Sequence, residues 1–175
     1  MIRKISFKII LANIVLTMAL ALTSCFTVKY SSSGASISPD MKTASIGFFQ
    51  NRAPIVRAML GQQFTDMLRE NIQQNTSLTV ITDGGDASFE GEITGYGTSP
   101  QSLQANDVAA QNRLTITVRV KFVNSIDPKL SYDTSFSRYL DYPSGQSLEA
   151  AEGELVPKIL EKLVEDIFNK AFANW

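Results

Sequence analysis

The sequence predicts an α+β fold: a two-layer sandwich, with a mixed, mostly antiparallel sheet of about four or five strands and two helices packed on one face. Leu114, Ile116, Val118, Val120 and Phe122 alternate with Arg113, Thr115, Thr117, Arg119 and Lys121, the period-2 pattern of a strand buried on one side. Two further segments, within residues 55–74 and 147–175, each carry one apolar stripe at helical spacing. One-faced strands and one-striped helices each need a covering layer, and here each supplies it to the other.

Thr43–Gln50 alternates with Ala44, Ile46 and Phe48 on one face and reads as the first strand. Asn51 then reads as a helix cap, with Pro54 in the first turn, where its missing N–H costs little. From Ile55 the apolar residues Val56, Met59, Leu60, Phe64, Met67, Leu68 and Ile72 describe an amphipathic helix ending near Gln74, slightly weakened by Gly61. Leu78–Thr82 is a short strand, and Asp83-Gly84-Gly85-Asp86 signals a turn. Ala87–Thr98 places Phe89, Gly91, Ile93, Gly95 and Gly97 inward against Glu90, Glu92, Thr94 and Tyr96. Three inward glycines predict a bulge or a closely pressed helix. After the strand Leu114–Val123 comes a turn at Asp127-Pro128, and a last strand, Tyr132–Leu140, sends Tyr132, Phe136 and Leu140 inward. Leu155, Ile159, Leu163, Val164, Ile167, Phe168, Ala171 and Phe172 form the final stripe. That helix either begins near Gly153 with Pro157 in its opening turn, or runs from a Ser147 cap and is kinked at Pro157; the longer, kinked helix is favoured.

The N-terminus is of another kind. Arg3, Lys4 and Lys8 precede an apolar run, Ile9–Leu22, that is interrupted only by Asn13 and Thr17. At roughly 14 residues it is short of the ~20 a membrane-spanning helix needs. Leu22-Thr23-Ser24-Cys25 follows, holding the only cysteine of the chain. This arrangement resembles the lipobox of secreted lipoproteins. The resemblance implies cleavage between Ser24 and Cys25 and a lipid on Cys25, which becomes the first mature residue. Residues 1–24 are then a signal peptide, 25–42 a lipidated cysteine with a Ser- and Gly-rich tether, and 43–175 a single domain. The tether, 26–42, reaches roughly 56 Å when extended and about 23 Å as a flexible coil. Its lack of acids directly after Cys25 favours, by the same resemblance, the periplasmic face of an outer membrane.

Composition narrows the function. Removing residues 1–24 takes away three cations and no acid, leaving 13 cations against 17 acids, a net charge of −4. Such a balance offers nucleic acid no broad electrostatic footprint. The chain has no histidine, so Ser-His-Asp and Cys-His catalysis and the usual zinc ligand sets are ruled out. No Ser-Lys or carboxylate-pair signature takes their place. Neither catalysis, a metal nor a cofactor is expected, apart from the covalent lipid on Cys25.

Five segments in order behind the lipobox carry a family resemblance: QQFTDMLRENI (62–72), FEGEITGYGTSP (89–100), NRLTITVRVKF (112–122), FSRYLDY (136–142) and LVEDIFNKAFANW (163–175). Together they resemble the LptE-like lipopolysaccharide-assembly lipoproteins of the Gram-negative outer membrane, over nearly all of the mature domain. The resemblance implies a non-catalytic plug and partner of a large outer-membrane β-barrel, the LptD-like lipopolysaccharide translocon, with lipopolysaccharide as a further ligand. A lipid carrier or glycolipid-binding lipoprotein is the alternative, and it needs an open apolar cleft between sheet and helices.

Arg113, Arg119 and Lys121 are the candidate contact residues. They share one strand face along about 27 Å and could meet the phosphates of an anionic glycolipid. The competing reading is ordinary surface pairing with Glu90 and Glu92 on the preceding strand. The connection Ser99–Asn112, with Pro100, Leu103, Val108, Ala109 and Ala110, is a second candidate for partner or acyl-chain contact. Phe168, Phe172 and Trp175 either contact a partner or pack as the end of a core helix.

Overall fold

The computed structural model describes residues 37–55, 57–101 and 110–173. Cys25, Leu103, Val108, Ala109 and Trp175 therefore lie outside the described residues. In chain order the elements are β1 (Thr43–Ile46), β2 (Gln50–Asn51), α1 (Leu60–Asn75), β3 (Thr79–Ile81), β4 (Ala87–Gln101), β5 (Gln111–Asn124), a 3₁₀ turn (Pro128–Leu130), β6 (Tyr132–Pro143) and α2 (Leu148–Phe172). The sheet order is β3-β1-β4-β5-β6, with β2 also paired to β4. β1 runs parallel to β3 and β4, and β2 parallel to β4. β4, β5 and β6 form a long antiparallel meander. The expected two-layer α+β architecture is present, its first strand split in two.

One core lies between the layers. Leu60, Phe64, Leu68 and Ile72 of α1 meet Ile159, Leu163, Ile167 and Phe172 of α2 and the inner residues of β4 and β5 in a single buried cluster. Both helices thus cover the same side of the sheet. Phe172 packs edge-on against Phe89 and Phe122. With Phe168 it belongs to the core, as a helix end burying its aromatic residues would. Tyr132, Phe136 and Leu140 face inward as expected, partly buried against that cluster. α2 is one element running through Pro157, and Ser147 caps it by accepting a bond from the Ala150 amide. Pro157 supplies no N–H for the Gly153 carbonyl, and the packed stripe on either side holds the helix together regardless.

Three expectations are corrected. The first strand breaks at Gly47, so Phe48 stands 58% exposed and Phe49 is buried in its place. The first helix begins at Leu60 and not at Asn51, because β4 takes Gln50 and Asn51 into the sheet. The Asn51 side chain instead braces the following loop, accepting from the Ala53 amide and donating to the Arg57 carbonyl. Finally, the register of β4 shifts between Ile93 and Gly95. One extra residue there reverses the alternation, so Tyr96 points inward and Gly95 and Gly97 turn to the outer face.

Gly61 is a packing requirement more than a weakness. A Cβ there would stand 2.4 Å from the Phe49 carbonyl oxygen, a backbone atom that cannot step aside cheaply. Gly153, in the other helix, has open space where a Cβ would go. Gly61→Ala should therefore destabilise by about 1–3 kcal/mol, overriding its propensity gain. Gly153→Ala should stabilise by about 0.5–1 kcal/mol. Urea unfolding of the two variants checks the opposite signs.

Asp86 ties the end of the sheet at which the described chain starts. Its carboxylate accepts from the Lys42 amide, the Thr43 amide and the Thr43 hydroxyl at 2.8–2.9 Å. Its carbonyl accepts from the Ser125 amide and hydroxyl. The two backbone donors, Lys42 first, hold its pKa below the ordinary value. A depressed carboxylate contributes its full stabilisation above the unfolded value of about 4 and loses it as pH falls toward the folded one. Asp86→Asn should accordingly lower the urea midpoint at pH 7, and by less at pH 3.

Candidate functional site

The outer sheet face is left uncovered among the described residues, and it is there that the sequence placed its candidate cations. Period-2 alternation on β5 turns Arg113, Thr115, Thr117, Arg119 and Lys121 away from the helices. In register beside them stand Glu90, Glu92, Gly95, Gly97 and Ser99 of β4, and Asp133, Ser135, Ser137, Tyr139 and Asp141 of β6. The middle of the face is a belt of glycine, serine and threonine, with Thr117 and Ser137 hydroxyls 3.0 Å apart. A Cβ on Gly97 would meet nothing within 4 Å. Near its centre the surface carries small and hydroxyl-bearing side chains.

The cations flank this belt, and each is paired. Arg113 grips Asp141 with two bonds of 2.7 and 2.9 Å, its guanidinium carbon 3.6 Å from the centre of the Tyr139 ring. Arg119 grips Asp133 with two bonds of 2.9 Å. Those bonds hold the Asp133 and Asp141 carboxylates below their ordinary pKa and raise both guanidinium groups. Lys121 lies 4.0 Å from Glu90, while Glu92 pairs with Arg52 of the β2–α1 loop at 3.2 Å. The expected surface pairing is thus present, but the two arginines take it mainly from β6, and only Lys121 takes it from β4. Four cations balance four acids. All of these pairs touch water, so they add little to stability and can exchange partners at low cost.

A second polar cluster escaped the sequence reading because the bulge hid it. Arg57 and Glu152 stand 2.7 Å apart, and the inward Tyr96 hydroxyl donates to Glu152 at 3.0 Å. Burial, then the Glu152 hydrogen bond, push the Tyr96 phenol up to about 12. Met59, Leu60, Val156 and Pro157 complete a cleft of about 310 Å³. The cluster fastens the loop before α1 to α2. Away from this cleft, the layer between sheet and helices is filled by the fully buried rings of Phe49, Phe64, Phe89 and Phe122. Of the β4–β5 connection, Pro100 lies inside β4, paired with Asn112 of β5, and the Ala110 carbonyl accepts from the Ser144 amide.

A family model described as LptE, Lipopolysaccharide-assembly, matches residues 41–171. No curated protein matches the chain. Among solved structures, the chain is similar to a minor lipoprotein from Acinetobacter baumannii, with TM-score 0.50 and 15% identity, covering 74% of this chain and 91% of that one. It is also similar to a hypothetical protein from Chlamydia trachomatis, with TM-score 0.52 and 11% identity, covering 77% and 99%. At these identities the likeness establishes a shared fold.

Proposed function

We propose that this chain, which belongs to the lipopolysaccharide-assembly family LptE, is a non-catalytic lipoprotein of the outer membrane that plugs and partners a β-barrel translocon. On this reading Cys25 carries the lipid, and the domain works from the periplasmic side. The observation that supports it best is the outer face of β4, β5 and β6: hydroxyl-rich, balanced in charge and uncovered among the described residues. The lumen of a large outer-membrane barrel is polar and wet, and some barrels are closed by a plug. A face with paired, water-exposed ions can trade its internal partners for those of a lumen wall without leaving any charge buried alone. Arg113, Arg119 and Lys121 are then its cationic contacts, for carboxylates of the barrel or phosphates of lipopolysaccharide.

A tagged chain recovered from detergent-solubilised outer membrane should bring down a large barrel in equal amount. Thr117→Trp sets bulk on the centre of the belt while leaving the core untouched. It should abolish that recovery and leave the unfolding midpoint unchanged. Recovery of no barrel by the unaltered protein would sink the plug reading. Equal recovery by Thr117→Trp would move the contact to another surface.

A further inference from the structure

The turn between β5 and β6 is built rigidly, yet it holds aliphatic side chains in water. Asn124 is buried, and its side-chain oxygen accepts from the amides of Ile126 and Asp127. The Asn124 backbone N–H donates to the Ser131 hydroxyl. Asp127 accepts from the Lys129 amide, and the Leu130 amide returns to the Asp127 carbonyl. On this braced frame Val123, Ile126 and Leu130 are 40%, 40% and 42% exposed. Three aliphatic side chains within eight residues, fixed and half in water, gain little for folding from the area they leave uncovered.

The position of the turn indicates what covers it. Asp86 joins Ser125 at the base of the turn to Lys42 and Thr43, at the start of β1. The turn therefore sits at the end of the sheet where the chain comes in from Cys25. Eleven residues, 26–36, separate Cys25 from Ile37, a span of at most about 40 Å even fully extended. We infer that this turn is a membrane-contact tip, with Ile126, Leu130 and Val123 entering the interfacial layer of the bilayer that holds the lipid on Cys25. Short apolar projections bind that layer by the area they bury. Asp127 and Lys129 beside them carry opposite charges, so the contact does not depend on anionic headgroups. The inference rests on the proposed anchoring at Cys25.

The full chain, lipidated and reconstituted into phosphatidylcholine vesicles, provides the test. The thioether occupies the native sulfur, so a cysteine introduced at Leu130, Ile126 or Gly145 carries a spin label alone. Gly145 lies just beyond β6, near the far end of the sheet, with open space about it. Labels at Leu130 and Ile126 should show several-fold more collision with a lipid-phase quencher, relative to an aqueous one, than a label at Gly145. Equal ratios at all three sites, on protein whose mass shows the lipid, would overturn the inference and leave the anchor standing. A mature chain with an unmodified Cys25 would overturn the anchor, and the inference with it, because the tether is what brings the turn to the surface.

Discussion

Replacing Phe49 with alanine should lower the free energy of unfolding by about 3–5 kcal/mol, read from urea denaturation. Phe49 is fully buried and meets Phe64 edge-on with ring centres 4.9 Å apart. Its amide donates to the Thr65 hydroxyl, which in turn donates to the Gly61 carbonyl. Its ring lies so close over Gly91 that a Cβ there would stand 2.6 Å from it. One side chain thus holds the broken first strand, the first helix and β4 together. The neighbouring glycines leave no larger residue free to collapse into the gap, which places the cost in the upper part of the range for large-to-small changes. Adding Gly91→Ala should not restore stability, since the new methyl would also stand 2.1 Å from the Arg119 carbonyl oxygen. A loss of less than about 1 kcal/mol for Phe49→Ala would mean that Phe48 can turn inward and replace it.

That near-symmetry explains why this part of the fold was not legible. Phe48 and Phe49 are equally apolar, and alternation from Ala44 and Ile46 selects Phe48 unless the strand breaks. The break at Gly47 is set by the packing of α1 and β4, which a local pattern does not carry. The helix signals at Asn51 and Pro54 failed for a related reason: pairing Gln50 and Asn51 with Glu92 and Ile93 outweighed a weak local preference. β5 was legible throughout, because five branched or aromatic residues in strict alternation admit one register of faces. In β4 the glycines correctly signalled irregularity. Their sequence could not say that the extra residue falls before Gly95, and so Tyr96 was assigned to the wrong side and its bond to Glu152 was missed. The cation row of the candidate site followed from parity alone. Its partners did not, because choosing Asp133 and Asp141 over Glu90 and Glu92 requires the register between strands and the loop position of Arg52.

With residues 1–24 exchanged for a leader whose cleavage does not require the cysteine, Cys25→Ala should remove the chain from the membrane fraction altogether while leaving its unfolding midpoint unchanged. A single acyl tail of about 14 methylenes contributes roughly 11 kcal/mol at ~0.8 kcal/mol per methylene. The three half-exposed aliphatic groups of the β5–β6 turn bury far less area and can only orient what the lipid holds. The described core begins at Ile37, twelve positions after Cys25. Fractionation of cells making the variant should find it free in the soluble periplasmic fraction. Retention in the membrane at the level of the unaltered protein would mean that another element carries the attachment. The variant also separates anchoring from partnership. The outer sheet face is unaltered, so direct binding to the barrel should persist in a purified mixture. Binding in cells should weaken, because the tether no longer holds the domain at high effective concentration beside its partner. If barrel recovery falls equally in both settings, the segment around Cys25 is itself part of the interface, and the polar sheet face is insufficient alone.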